Sequence, residues 1–104
     1  DAIKSLLMLE AAAQENLKQL VYNVTSFSPT AMEFLNRIKL AFPKAEVTFE
    51  PHLTRQGIVD SWPGDVDDSA ATRDWGWHAD YDFARSFDEY LVPSIKARYA
   101  GKGC

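Results

Sequence analysis

Residues 51–65 hold the side chains of this chain that are best suited to recognising a ligand. Arg55, Asp60, Ser61 and Trp62 supply a guanidinium, a carboxylate, a hydroxyl and an indole within eight positions. A guanidinium binds carboxylates or phosphates through paired hydrogen bonds, and an indole can form an apolar wall. We find no helical or strand periodicity here, so we expect a long loop that carries binding residues. A solvated arginine and side chains that only anchor the loop are the alternatives.

The sequence lacks the usual motifs of cofactor, metal and acid–base chemistry. Its five glycines form neither G-x-G-x-x-G nor a phosphate loop, and no Tyr-x-x-x-Lys pair is present. The two histidines, His52 and His78, have no metal-ligand spacing. We therefore predict no catalytic residue, no cofactor-binding residue and no metal ligand in this chain.

Composition favours one small folded domain with neither a nucleic-acid partner nor a membrane segment. The 104 residues are 46% hydrophobic, and 15 acidic against 11 scattered basic residues give a net charge of −4. No apolar run is long enough to span a membrane, and no signal peptide is recognised. Cys104 is the only cysteine, which excludes an internal disulfide. We expect a soluble, cytoplasmic protein.

The chain begins with Asp1 and continues at once into an apolar-periodic segment, which we interpret as the start of a fragment.

The elements that must position the loop alternate between helical and extended patterns. Helices are predicted at residues 1–19, 29–42, 67–76 and 82–93, with Ser28 as N-cap of the second. Strands are predicted at residues 20–25 and 46–50, and residues 94–104 are expected to form a frayed tail.

A strand, a helix of about three turns and a second strand form a βαβ unit, in which the strands lie parallel. A parallel pair must be covered on both faces, and the remaining helices could cover it. The predicted fold class is therefore α/β (mixed α+β): a small domain in which several helices cover one parallel strand pair.

Several segments closely resemble the C-terminal part of L-threonine 3-dehydrogenases of the extended short-chain dehydrogenase/reductase superfamily. That superfamily also contains nucleotide-sugar epimerases and dehydratases. The resemblance runs from Asp1 to about Pro93, and the order and spacing of its motifs make it specific. The matching motifs are Val-Tyr-Asn-Val-Thr-Ser-Phe-Ser at 21–28, Phe-Pro at 42–43, Arg-Gln at 55–56, Asp-Ser-Trp-Pro at 60–63, Asp-Asp-Ser-Ala-Ala at 67–71 and Asp-Trp-Gly-Trp at 74–77.

The resemblance implies a parent enzyme that oxidises L-threonine to 2-amino-3-oxobutanoate, with NAD as hydride acceptor. The glycine-rich loop and catalytic residues of such enzymes lie in an N-terminal Rossmann domain that this chain lacks. Residues 1–104 would then be a single C-terminal, substrate-side lobe that closes like a lid, inactive and unable to bind NAD alone. Its implied partners are the Rossmann domain and L-threonine, in a homodimeric parent that is cytoplasmic, or mitochondrial in a eukaryote.

The same resemblance aligns Arg55 with an arginine that meets diphosphate in nucleotide-sugar relatives. Ile58 stands where those relatives have Asp, which disfavours a sugar-nucleotide ligand. Two alternatives stay open: a non-enzymatic interaction module or pseudoenzyme remnant, and a lobe of a related epimerase/dehydratase. In each case we expect an unusually apolar exposed surface, because the lobe would normally pack on a second domain.

Overall fold

A computed structural model describes residues 1–102 of the chain; Gly103 and Cys104, the end of the predicted frayed tail, lie outside the described residues. The described elements are helices joined by turns and extended segments. They are α1 (Ala2–Ala11), a 3₁₀ turn (Gln14–Asn16), α2 (Ala31–Ala41), α3 (Leu53–Asp60), α4 (Ser69–Trp75) and α5. Helix α5 has three consecutive segments: α-helical Phe83–Arg85, π-helical Ser86–Leu91 and α-helical Val92–Tyr99.

The predicted α/β fold with a parallel strand pair is wrong, because residues 1–102 form helices and no β-strand. Residues 20–25 and 46–50, which carry the β-branched and aromatic pattern, have neither helical nor strand structure. A strand exists only through hydrogen bonds to a neighbouring strand, and β-propensity expresses how well side chains fit a half-buried sheet surface. In the described part of the chain Leu20 and Val21 instead face solvent.

The described chain forms two compact units, and the first comprises residues 1–28 and 65–82. Its core is built on Ala71 and Trp77, which are 0% and 2% exposed. The Trp77 indole donates a hydrogen bond from Nε1 to the Asp68 carboxylate at 3.0 Å, and its ring lies 6.0 Å from that of Trp75. A buried indole therefore has its polar atom satisfied while its rings fill the centre of the unit.

Helix α4 confirms the short helix predicted from Asp67-Asp68-Ser69 to Gly76. Asp67 accepts a hydrogen bond from the Ser69 amide at 2.9 Å, and this bond lowers the pKa of the Asp67 carboxyl below its usual range. Gly76 ends the helix at φ 72°, in the left-handed region where a residue without a Cβ is favoured. The turn at Gly76 brings Trp77 back beneath the helix, where its amide donates to the Ala71 carbonyl at 3.3 Å.

A second polar contact of this unit joins Tyr22 to α4. The Tyr22 hydroxyl donates to Asp74 at 2.7 Å and accepts from the Lys18 amide at 2.8 Å. Arg73 donates to the other Asp74 oxygen at 2.8 Å, and the Asp74 side chain is only 4% exposed. The hydrogen bond from Arg73, followed by that from Tyr22, lowers the pKa of the Asp74 carboxyl. The carboxylate thus holds the extended segment around Tyr22 against the helix.

The second unit comprises residues 29–64 and the chain from Phe83 onward. Its centre is an aromatic cluster in which the ring of Phe34 lies 5.2 Å from Phe83 and 5.9 Å from Phe87. Phe87 is the buried member, on the π-helical segment. Arg37 on α2 is paired with Asp88 and donates to the Ala84 carbonyl at 3.2 Å, so α2 is fixed to α5 by apolar and polar contacts.

Two helix boundaries differ from the sequence prediction for identifiable reasons. Helix α2 is capped by Thr30 and not by Ser28, because Thr30 and Glu33 form a reciprocal capping box. The Ser28 hydroxyl instead donates to Asp65 at 2.9 Å. Helix α5 continues beyond Pro93 to Tyr99: Pro93 comes directly after the π-helical segment Ser86–Leu91, where the regular i→i−4 hydrogen-bond pattern is already interrupted, so its missing N–H does not end the helix.

Two further differences concern residues 1–19 and 51–65. The first helix ends at Ala11, and residues 14–16 add only one 3₁₀ turn. The predicted loop contains helix α3, which has only eight residues. Its few apolar residues do not form a clear helical pattern in the sequence. The helical conformation of residues 53–60 is therefore a feature that the pattern did not reveal.

Large apolar side chains remain exposed in both units, as the sequence predicts. The exposed side chains include Ile3, Leu6 and Leu7 on α1 and Leu53, Ile58 and Val59 on α3. Among the described residues, no helix is both long and apolar enough to cross a membrane.

Candidate functional site

An open groove of 630 Å³ in the second unit includes one of the predicted site residues, Arg55. It is formed by the start of α2, residues 49–52 and one face of α3. Its walls are mostly apolar, with one acidic and one guanidinium side chain. The lining residues are Thr30, Ala31, Met32, Phe49, Glu50, Pro51, His52, Arg55, Gln56 and Val59.

The α2 wall of the groove is fixed by the capping box. Thr30 donates its amide to Glu33 at 2.7 Å, and the Glu33 amide donates to the Thr30 hydroxyl at 3.2 Å. The hydrogen bond from the Thr30 amide lowers the pKa of the Glu33 carboxyl, because it stabilises the ionised carboxylate. The first turn of α2, and Met32 with it, is thereby held at the groove.

The α3 wall begins at His52, whose Nδ1 accepts from the Arg55 amide at 3.5 Å. Arg55 lies in the first turn and Val59 in the next, so both present side chains to the groove. The helix ends at Asp60, and Ser61 and Trp62 follow in a turn in which the Trp62 amide donates to the Val59 carbonyl at 3.0 Å. A spacing of four residues places Val59 on the face of α3 that carries Arg55, whereas Trp62 lies beyond the helix and does not line the groove.

Asp60 and Ser61, two of the four predicted site residues, make local contacts within α3. Asp60 accepts from Gln56 Nε2 at 2.5 Å, one helical turn earlier. The Ser61 hydroxyl donates to the Ile58 carbonyl at 2.6 Å, at the C-terminal end of the helix. These contacts satisfy groups of the helix itself, which favours an anchoring role for both residues.

Arg55 and Trp62 differ from Asp60 and Ser61 because their side chains make no polar or ring contacts within the described residues. Within residues 1–102 the Arg55 guanidinium has no hydrogen bond or ion pair, and the Trp62 ring has no aromatic or cation contact. Trp62 is 66% exposed, whereas Trp77 is 2% exposed. The structure therefore separates a core tryptophan from a surface one, and the surface one follows α3.

The groove can recognise a small zwitterion. The Arg55 guanidinium can pair with a carboxylate, and the oppositely charged Glu50 can pair with an ammonium group. Phe49, Met32 and Val59 offer apolar contact. Nothing among the described residues groups three or more His, Asp or Glu side chains as a metal site. The side chains that line the groove are suited to recognition by charge and shape.

Sequence reasoning missed most of the lining residues. His52, Arg55 or Gln56, and Val59 follow the helical spacing i, i+3 or i+4, i+7, which could have indicated a helix face. No comparable signal pointed to Met32 or Phe49, which reach the groove from segments distant in sequence.

Comparison with known proteins connects the chain to one enzyme family. No protein-family model matches it. It is 38% identical over 82 residues to the mitochondrial L-threonine 3-dehydrogenase of Sus scrofa, a match that covers 79% of this chain and 22% of that protein. It is 27% identical over 103 residues to an uncharacterized epimerase/dehydratase of Staphylococcus haemolyticus, covering 98% of this chain and 32% of that protein.

Solved structures lead to the same family. The L-threonine dehydrogenase of Phytophthora infestans matches with a TM-score of 0.82 and 32% identity over 93% of this chain, and that of Clostridium difficile with 0.84 and 26% over 96%. The chain spans 31% of each of these two structures. The resemblance seen in the sequence is thus confirmed: the chain is homologous to a portion of an extended short-chain-dehydrogenase-type L-threonine dehydrogenase.

Proposed function

We propose that this chain is the substrate-side, lid-like portion of an NAD-dependent L-threonine 3-dehydrogenase and that it is inactive by itself. The observation that carries the proposal is the unpaired Arg55 guanidinium in a groove that Glu50 and apolar side chains also line. L-Threonine presents a carboxylate, an ammonium and a methyl group, which match these three kinds of contact. The match with L-threonine dehydrogenases supports the same substrate.

The residues of this chain do not fit a dinucleotide. A dinucleotide site needs glycines between a strand and the N-terminus of a helix, where backbone amides meet the pyrophosphate. Within residues 1–102 there is no strand, and Gly57 lies inside α3 while Gly76 lies at the C-terminal end of α4. We assign NAD binding to a separate nucleotide-binding domain of a homodimeric parent enzyme, and the exposed apolar side chains are suited to packing on such a domain.

In this proposal the lid-like portion contributes to hydride transfer by closing over the substrate. Excluding water strengthens the charge contacts around a bound substrate, and a lid must complete the cleft before the reaction. Arg55 would hold the carboxylate, and Trp62, which lies outside the groove, would contribute apolar surface to the cleft when it closes. Neither side chain takes part in proton or hydride transfer, so both act as positioning residues.

A chimera tests the proposal. This chain replaces the matching segment of the Clostridium difficile L-threonine dehydrogenase, and threonine-dependent NADH formation is followed. We expect an active chimera in which Arg55→Ala lowers kcat/KM for threonine by roughly tenfold to a hundredfold, as loss of a charge-assisted contact predicts. Trp62→Ala should lower kcat/KM as well, with the thermal midpoint and NAD affinity unchanged.

Arg98→Ala is the matched control, because Arg98 lies in the last turn of α5 and outside the groove. It should leave kcat/KM unchanged. A chimera that folds but does not oxidise threonine contradicts the proposal, as does an equal effect of Arg55→Ala and Arg98→Ala. If both site variants lose stability in proportion to activity, the segment is structural.

An epimerase/dehydratase lobe is the second candidate, favoured by the Staphylococcus haemolyticus match over nearly the whole chain. Arg55 would then meet a diphosphate, which it can bind by the same paired hydrogen bonds. NMR titration of the chain with UDP-glucose and with L-threonine separates the two. Shifts of the α3 amides with UDP-glucose alone would favour the epimerase/dehydratase.

A further inference from the structure

We propose that a second groove in the second unit binds an amphipathic carboxylate, of the kind represented by a medium-chain fatty acid. The groove lies where the C-terminal ends of α2 and α5 meet, and its volume is 1060 Å³. It shares no lining residue with the α3 groove. The inference therefore stands independently of the proposed enzyme function.

The walls of this second groove are suited to an alkyl chain. Phe42 and Pro43 follow α2, and Ile95 and Tyr99 lie one turn apart on α5. Ile95 and Tyr99 are 43% and 47% exposed, so apolar surface remains uncovered there. A chain laid across these side chains gains roughly 25 cal/mol for each Å² of apolar surface removed from water.

The charges of the lining residues are all positive. Lys44 and Lys96 are the charged members, and none of the described lining residues carries a carboxylate. Within residues 1–102 neither ammonium has an ion-pair partner, although the chain as a whole carries a net charge of −4. An anionic head group is the complement of this local charge.

The helix ends do not cancel that charge. Each helix C-terminus is equivalent to about half a negative elementary charge, and this alone can account for lysines near such ends. The C-terminal ends of α2 and α5 together therefore offset about one elementary charge. About one of the two positive charges of Lys44 and Lys96 remains uncompensated. The Phe42 carbonyl is in addition occupied by the Ala45 amide, at 2.9 Å.

Lys96 supplies a positive charge at the apolar wall of the second groove. Lys96 Nζ lies 5.7 Å from the centroid of the Phe42 ring, so a cation–π contact holds the ammonium at the apolar wall. Tyr99 lines the same groove, and its hydroxyl makes no hydrogen bond within the described residues. We assign the carboxylate to the Lys96 ammonium and the Tyr99 hydroxyl, and the alkyl chain to the apolar side chains that include Ile95.

Ligands of equal length and different head-group charge test the proposal. The chain is titrated at pH 7.5 and below micelle-forming concentrations with decanoate, decanol and decylammonium, and amide shifts of residues 41–45 and 95–99 are followed by NMR. We expect saturable 1:1 binding of decanoate at these residues, about tenfold tighter than decanol. Decanol or decylammonium binding as tightly as decanoate would overturn the proposal.

Variants locate the site. Lys96→Ala should weaken decanoate binding about tenfold and leave decanol binding unchanged, and Ile95→Asp should weaken both. Lys18→Ala is the matched control, since Lys18 lies in the first unit. Far-UV circular dichroism confirms that each variant is folded. Equal loss of decanoate affinity in Lys18→Ala and Lys96→Ala, or shifts confined to other residues, would show only adventitious apolar binding and refute the assignment.

Discussion

Replacing Trp77 by phenylalanine removes the indole N–H from the centre of the first unit and keeps an aromatic ring there. Trp77 donates to the Asp68 carboxylate at 3.0 Å and is 2% exposed. A hydrogen bond to a charged group contributes about 1.5–3 kcal/mol. The smaller ring leaves a void that costs about 1 kcal/mol more. Trp77→Phe should therefore lower the free energy of unfolding by roughly 2.5–4 kcal/mol.

That loss is large beside the 5–15 kcal/mol that typically stabilises a small protein. Each kcal/mol shifts the thermal midpoint of a domain of this size by about 4–8 °C, so the midpoint should fall by at least about 10 °C. Thermal unfolding followed by far-UV circular dichroism measures it, and urea unfolding gives the free energy.

Trp62→Phe is the matched control, the same substitution at a tryptophan that is 66% exposed. It should change the free energy of unfolding by less than about 0.5 kcal/mol. The reasoning is refuted if Trp77→Phe lowers the midpoint by no more than the control does. A double-mutant cycle with Asp68→Ala provides a second check, because a coupling energy near zero between the two positions would mean that their hydrogen bond does not stabilise the unit.

Two further predictions concern α4 and its surroundings. The pKa of Asp74 is lowered on folding, so its contribution to stability is present above the unfolded value of about 3.9 and is lost as pH falls through the lower folded value. Thermal midpoints between pH 2.5 and 6 should therefore show Asp74→Asn less stable than the parent near pH 6, with the difference shrinking below pH 4; a constant difference would contradict this. Gly76→Ala places a Cβ at φ 72° and should cost about 1–2 kcal/mol, although its Cβ would meet no atom within 4 Å. Gly57→Ala inside α3 should instead stabilise the helix by up to about 1 kcal/mol, and urea unfolding that gives both changes the same sign would refute the backbone argument.

The candidate site was predictable in its residue types and less so in its geometry. A guanidinium and an indole without a periodic role suggested Arg55 and Trp62; neither side chain makes a hydrogen bond, ion pair or ring contact among the described residues, and only Arg55 lines the groove. Asp60 and Ser61 belong to the same segment, but a sequence does not show that Gln56 and the Ile58 carbonyl already engage them. Whether Arg55 and Trp62 bind substrate stays a prediction.

Local signals sufficed where the determining interaction lies within a few residues. The glycine that ends α4, the apolar periodicity of α2 and the net charge follow from neighbours in sequence or from composition. Family membership was also readable, because several motifs keep their order and spacing. These features depend on short-range hydrogen bonds, backbone conformation and side-chain type, all of which the sequence specifies directly.

Tertiary structure decided the features that need a distant partner. Residues 20–25 and 46–50 have the composition of strands, yet a strand requires a neighbouring strand, and the described residues supply none. The cap of α2 at Thr30 is a local interaction that the sequence prediction nevertheless placed at Ser28, whereas the α3 groove depends on bringing Met32 and Phe49 beside Arg55. Residue type and spacing thus identified the chemistry of the chain, while pairing and packing between distant segments determined which side chains meet, because those contacts form only when the chain folds.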